Sequence, residues 1–214
     1  KALDYFKKSL KLDLSFFGEN HPSVASGYYN IGYVYFAQGD YSKALEYFEE
    51  VLKIRLSVYG ENHSRVASVY NDIGEIYSVQ GDDFKALDYF KKSLKIVLSV
   101  YGENHSQVSS IYDHIGEIYF AQKDYSKALY YFEESLKIRL SLFGENHPEV
   151  ALSYYSIGSL YIIQGDKSKA LNYYEKSLKI RLSVYGENHP LTKEIMDLIN
   201  VANSKVLQSP ETTK

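Results

Sequence analysis

Five of the six histidines recur at one spacing. His21, His63, His105, His147 and His189 each close a Gly-Glu-Asn-His run, and each step is 42 residues (63 − 21, 105 − 63, 147 − 105, 189 − 147). Imidazoles are common metal ligands, but a site needs several of them within ~2 Å of one ion. If each period holds two helices, equivalent histidines lie two helix layers apart, at ~8–10 Å per layer. They cannot share an ion. A ring that packs or hydrogen-bonds at a helix start is the better reading. His114 stands alone, beside Asp113 and one turn before Glu117. A carboxylate–imidazole pair can hold a metal or act as a general base. No cysteine nucleophile, nucleophile elbow or phosphate-binding glycine loop accompanies it. His114 is read instead as part of a polar ligand face. No residue is assigned to catalysis, to a cofactor or to a metal. Asn62-His63-Ser64 and Asn104-His105-Ser106 match the glycosylation sequon, but Pro22 and Pro148 break it in other copies, so it is a by-product of the linker.

The elements that position these residues follow from the period. A fixed repeat of this length marks an array. Pro22 suits the first position of a helix. Val24, Tyr28, Ile31, Val34 and Tyr35 then form a helical stripe. Gly39 can take a left-handed conformation at the helix end, and Asp40 can cap the next helix. Ala44, Leu45, Phe48, Val51, Leu52 and Leu56 line one side of that second helix, and Gly60 stops it. Each unit is predicted to be an antiparallel pair, A then B. The A helices are expected at 22–38, 64–80, 106–122 and 148–164, and the B helices at 41–59, 83–101, 125–143 and 167–185. Lys123 replaces the turn glycine in one copy, at a cost on the order of 1 kcal/mol.

The ends differ. Residues 1–17 match a B helix without its A partner, which suggests a piece of a longer array with one apolar face open. From Pro190 a helix over 190–207 shows Leu191, Ile195, Leu198, Ala202 and Val206 on one side and polar residues on the other, the pattern of a terminal cap. Asn200 replaces the glycine of Gly32, Gly74, Gly116 and Gly158, implying that no B helix packs over it. Residues 208–214 are expected to be a disordered tail.

Composition excludes several classes. The 214 residues are 45% hydrophobic and 24% charged, enough for a continuous core. The net charge of −3 argues against nucleic-acid binding. No apolar run approaches a membrane span, and no signal peptide opens the chain. The absence of cysteine favours a reducing compartment, hence the cytoplasm.

Tyr28, Ile31, Gly32, Tyr35, Ala44 and Phe48 fall at the spacing of the tetratricopeptide repeat signature. Tyr70, Ile73, Gly74, Tyr77, Ala86 and Phe90 repeat it, as do Tyr112, Ile115, Gly116, Tyr119, Ala128 and Phe132. The fourth copy has Tyr154, Ile157, Gly158, Tyr161 and Ala170, with Tyr174 for the phenylalanine. The 42-residue length and the Gly-Glu-Asn-His-Pro linker resemble the longer subtype of kinesin light chains and nephrocystin-like proteins. The resemblance spans about 1–207 and implies an all-α, right-handed superhelical solenoid. It also implies a non-enzymatic scaffold that binds a peptide on the concave side formed by its A helices.

Carried over by repeat position, the groove residues are Ser26, Tyr29, Asn30 and Tyr33; Ser68, Asn71, Asp72 and Glu75; Ser110, Asp113, His114 and Glu117; and Tyr155, Ser156 and Ser159. The four A helices hold one basic residue, Arg65, against Asp72, Glu75, Asp113, Glu117 and Glu149. The B helix 167–185 is basic. Charge is therefore expected to divide between the two faces. Carboxylate-clamp members of the family, and kinesin light chains with their acidic cargo motifs, need a basic groove, so those functions are not carried over. The expected ligand is a protein or peptide segment with Lys or Arg at its centre and apolar flanks that meet Tyr29, Tyr33 and Tyr155. The alternative is a structural array that associates with itself through the open first helix.

Overall fold

A computed structural model describes residues 1–204, and these form ten helices and no strand. They are α1 (Ala2–Phe17), α2 (Pro22–Ala37), α3 (Tyr41–Tyr59), α4 (Ser64–Val79), α5 (Asp83–Tyr101), α6 (Ser106–Ala121), α7 (Tyr125–Phe143), α8 (Pro148–Ile163), α9 (Lys167–Tyr185) and α10 (Pro190–Ser204). The B helices fall where the sequence put them. The A helices stop one residue earlier, because Gln38, Gln80, Gln122 and Gln164 act as C-caps. The expected tail at 208–214, and the end of the last helix at 205–207, lie outside the described residues.

The helices group into two compact units, Lys1–Glu103 with α1 to α5 and a second starting at Asn104 with α6 to α10. In the first, α2 pairs with α3 and α4 with α5, while α1 lies on α2 and α3 on α4. In the second, α6 pairs with α7 and α8 with α9, while α7 lies on α8 and α9 on α10.

Local chemistry sets the helix ends. Asp40, Asp82, Asp124 and Asp166 each accept the backbone N–H three residues on, at 3.1–3.3 Å. The lysine at that third position also lies over the ring of Tyr35, Tyr77, Tyr119 or Tyr161, at 4.7–5.1 Å. At the A helices the caps are the recurring histidines. Nδ1 of His21, His63, His105, His147 and His189 accepts the N–H two residues on, at 3.1–3.3 Å. The proton of each neutral ring therefore sits on Nε2. His21, His63, His147 and His189 stack on the aromatic residue that ends the preceding helix, for example His21 on Phe17 at 4.3 Å and His147 on Phe143 at 4.4 Å. Lys123 takes a left-handed φ of 62° in the turn where Gly39 has 77°.

Each A–B pair closes over its glycine. A Cβ on Gly116 would lie 2.7 Å from the Phe132 ring, and one on Gly158 2.7 Å from Tyr174. The core of the first unit gathers Val24, Ile31, Ala44, Phe48, Val51, Ile54 and Ile73; that of the second gathers Ala128, Phe132, Val150, Ile157, Leu160 and Ile180. Burying each large side chain contributes about 1.5–3 kcal/mol. Tyrosine pairs fill the rest, such as Tyr35 on Tyr47 at 5.5 Å and Tyr161 on Tyr173 at 5.7 Å. No helix of the described residues is long and apolar enough to cross a membrane.

Candidate functional site

In the first unit, α2 and α4 carry the residues expected to meet a ligand. Ser26, Asn30 and Tyr33 are exposed, and the Ser26 hydroxyl donates to the Pro22 carbonyl of its own helix at 3.0 Å. Tyr29 and Asp72 are drawn inward. Burial first, then Asp72, pushes the Tyr29 hydroxyl up to about 12. Burial first, then Glu75, pushes Asp72 up to about 7, against Tyr29 and Arg55. Asn71 donates from Nδ2 to Glu75 at 2.7 Å. Arg55, on the B helix α3, reaches this A-helix face. Its Nη1 donates to the Arg65 carbonyl at 2.7 Å and to Ser68 Oγ at 2.9 Å, and its guanidinium lies 5.3 Å from the Tyr29 ring.

The second unit repeats the device. Arg139 of α7 is only 4% exposed. Its Nη2 lies 2.7 Å from Asp113 on α6 and 2.9 Å from Glu149 on α8, and its Nη1 donates to Ser153 at 2.8 Å. Burial still pushes Asp113 up to about 6, against the Arg139 guanidinium, which Glu149 also holds. Arg181 of α9 donates to the Leu191 carbonyl at 2.6 Å and pairs with Glu194 at 3.5 Å. It lies 5.0 Å from the ring of Tyr155, whose hydroxyl donates to Glu194 at 3.1 Å. Each arginine thus bridges its own A helix and the next one.

This amends the expected division of charge. B-helix lysines such as Lys53, Lys137 and Lys179 are exposed, but Arg55, Arg139 and Arg181 reach residues of the A helices and neutralise part of their charge. Their guanidinium groups are committed to acceptors of this chain. The signal was present in the sequence as Lys-Ile-Arg-Leu at 53–56, 137–140 and 179–182, with Lys-Ile-Val-Leu at 95–98. An arginine inside an otherwise apolar stripe marks a buried, paired charge.

The remaining expected residues divide. Ser110 is exposed and donates to the Ser106 carbonyl at 3.2 Å. His114 Nδ1 lies 3.9 Å from Glu117 Oε2. Among the described residues no group of three or more His, Asp or Glu could hold a metal ion. Tyr155, Ser156 and Ser159 come together with Glu117 in a cavity of about 210 Å³ whose other walls are Phe120 and Phe132. Phe132 belongs to the repeat signature read from the sequence, and Phe120 was not singled out there. Ser159 donates to the Tyr155 carbonyl at 2.9 Å and shares a hydrogen bond with the Tyr174 hydroxyl at 3.1 Å. The cavity is too small for a typical cofactor. It has room for one long side chain, with rings along the walls and a carboxylate at the rim.

The family model described as tetratricopeptide repeat matches residues 1–57, 25–97, 65–141 and 107–183. Comparison with curated proteins gives no match. Among solved structures, BtubC (BKLC) from P. vanneervenii is 18% identical with a TM-score of 0.76, over 100% of this chain and 94% of that one. A putative kinesin light chain from Podosopora anserina, with nearly identical TPR-like repeats, is 16% identical with a TM-score of 0.70, over 86% of this chain and 87% of that one. The apo form of RapI is 18% identical with a TM-score of 0.72, over 86% of this chain and 64% of that one. At these identities the likeness is one of fold.

Proposed function

The chain belongs to the tetratricopeptide repeat family, with the 42-residue unit of its kinesin light chain-like subtype, and we propose that it is a cytoplasmic, non-enzymatic scaffold binding a basic peptide segment of a partner protein on its A-helix faces. The observation that carries this reading is the cavity of Glu117, Phe120, Phe132, Tyr155, Ser156 and Ser159 in the second unit. A lysine or arginine stem can lie along its rings while the charged head meets Glu117, which stays 67% exposed at the rim. In the first unit, Tyr29 lies beside Asp72 and Glu75, and Tyr33 of the same helix offers an exposed ring. An acidic peptide would meet Glu117, Glu75 and arginines already paired, and would have to break a buried pair to be held.

The test is a titration of fluorescent basic and acidic peptides, with Glu117→Lys as the reporter. Basic peptides should bind, more weakly as salt rises, and Glu117→Lys should lower their affinity roughly tenfold. Preferential capture of acidic peptides would overturn the proposal. A second reading is self-association through α1. It rests on Leu12, which is 59% exposed where Ile54 at the same register is 3% exposed.

A further inference from the structure

One cavity occurs in both units with its charge reversed. In the first unit a cavity of about 440 Å³ has Glu19, Asn20, Tyr28, Glu50 and Lys53 as its polar lining. Three periods on (145 − 19, 176 − 50), the second unit has a counterpart of about 290 Å³, with Glu145, Asn146, Tyr154, Lys176 and Lys179. The first sets two glutamates against one lysine. The second sets two lysines against one glutamate, because Lys176 stands at the register of Glu50. Elsewhere the lysines of this register are matched. Lys53 lies 3.7 Å from Glu50, and Lys137 lies 3.6 Å from Glu134. In α5 the register of Glu50 is also a lysine, Lys92, but Asp88 holds it at 2.7 Å. The helix α9 has neither device: Lys176 replaces the glutamate, and Asn172 replaces Asp88. Among the described residues neither Lys176 nor Lys179 pairs with a carboxylate, and like charges one turn apart repel. The Lys176 ammonium is nonetheless held in place, 5.4 Å from the centre of the Tyr154 ring and 5.2 Å from that of Tyr173. A ring face attracts the cation without taking its three N–H donors. Burial, then Glu145, pushes the Tyr154 hydroxyl up, so it too keeps a proton to donate.

We infer that this cavity is a second binding site, for a carboxylate side chain of a partner protein: an aspartate or glutamate of the partner enters between Lys176 and Lys179 and supplies the charge that Glu50 and Glu134 supply from within their own helices. Asn146 and the Tyr154 hydroxyl stand in the same wall as neutral donors. The site shares no residue with the cavity at Glu117, so it goes beyond the basic-peptide face and does not depend on it. A carboxylate is favoured over a phosphate group by charge balance. Two lysines against Glu145 leave one positive charge (2 − 1), which one carboxylate neutralises. A phosphate monoester carries about −1.5 to −2 at neutral pH, and Glu145 would face the excess.

The probe is an acetylated and amidated tripeptide, Ala-Glu-Ala, with glutamine and phosphoserine counterparts, titrated into the full chain and followed by NMR at the Asn146 side-chain amide. At roughly millimolar concentration the glutamate peptide should shift this signal toward saturation and the glutamine peptide should not, and added salt should weaken the effect. Lys176→Glu should weaken the glutamate peptide roughly tenfold or more. Its fold should survive, since Glu50 and Glu134 stand at the same register. Asn172→Asp gives Lys176 the partner that Lys92 has in Asp88, and should weaken the peptide roughly threefold. Lys167→Glu makes the same change of charge earlier on α9 and should bind as the wild type does. Binding unchanged by Lys176→Glu, or weakened equally by Lys167→Glu, overturns the site. A phosphoserine peptide that binds more tightly than the glutamate peptide overturns the choice of a carboxylate. Glu117→Lys, the reporter of the basic-peptide face, should leave the Asn146 shift unchanged, so failure of either site leaves the other standing.

Discussion

Asp72 is a carboxyl group the fold holds mostly out of water, with its pKa pushed from 3.8 up to about 7 by burial and by Glu75. A raised folded pKa means that the native state holds the proton more tightly than the unfolded chain. Its contribution is therefore fully present below about pH 4 and is lost as pH rises to about 7. Asp72→Asn should raise stability by roughly 1–3 kcal/mol at pH 8 and leave it nearly unchanged at pH 4, measured by urea unfolding. Some slope should remain in the variant, because Asp113 is raised to about 6 over an overlapping window. A variant with unchanged stability at pH 8 would count against burial as the cause. Arg139 gives the opposite case. Arg139→Met removes the shared cation and leaves Asp113 and Glu149 unpaired, so a loss of about 3–5 kcal/mol is expected. At this scale the sequence was half legible. It exposed the carboxylates by their type, but Arg139, which pairs with Asp113, sits 26 residues away in the chain (139 − 113), and only folding shows which way a long side chain turns.

At the scale of the helix pair, the glycine and the ring it accepts explain how closely A and B approach. Gly116→Ala places a methyl 2.7 Å from the Phe132 ring, on the buried side of α6. The ring must shift, and a loss of about 1–3 kcal/mol follows. Lys123→Gly acts in reverse, relieving a left-handed lysine at φ 62°. The gain should be about 0.5–1 kcal/mol, since glycine also loosens the unfolded chain. Thermal unfolding of the two variants should shift in opposite directions. His63→Ala removes a cap and a stacked ring together, and should cost about 1–2 kcal/mol. The pairs were largely readable from the sequence, because Pro22, Gly39, Asp40 and Gly60 are local signals and the chain repeats them. The one-residue early stop at Gln38 was not readable, because a glutamine at a helix end carries little preference of its own.

At the scale of the whole molecule, the question is whether copies of the chain add end to end. α1 is a B-type helix whose exposed face could take an A helix. Tyr5 stands at the register of Tyr47, which packs tilted against Tyr28 and stacks on Tyr35, and Phe6 at that of Phe48, which closes over Gly32. The only A-type helix of the described residues without a following B helix is α10. Four periods on from Tyr28, Gly32 and Tyr35 it carries Met196, Asn200 and Asn203. It lacks both tyrosines, and Asn200 stands at the register where Gly32 leaves room for the Phe48 ring. Burying Leu12 and Tyr5 in a mismatched contact contributes about 3–6 kcal/mol together, short of all but the low end of the roughly 4–15 kcal/mol that association costs. Wild-type chains should therefore not grow head to tail, and light scattering at rising concentration should show no elongating species. Met196→Tyr, Asn200→Gly and Asn203→Tyr together restore the A-type face of α10, and this triple variant should lengthen with concentration, since a head-to-tail contact that does not close forms open filaments. Filaments of the wild-type chain, or a triple variant that stays the size of the wild type, would show that the fit between an A and a B helix is not what limits the array.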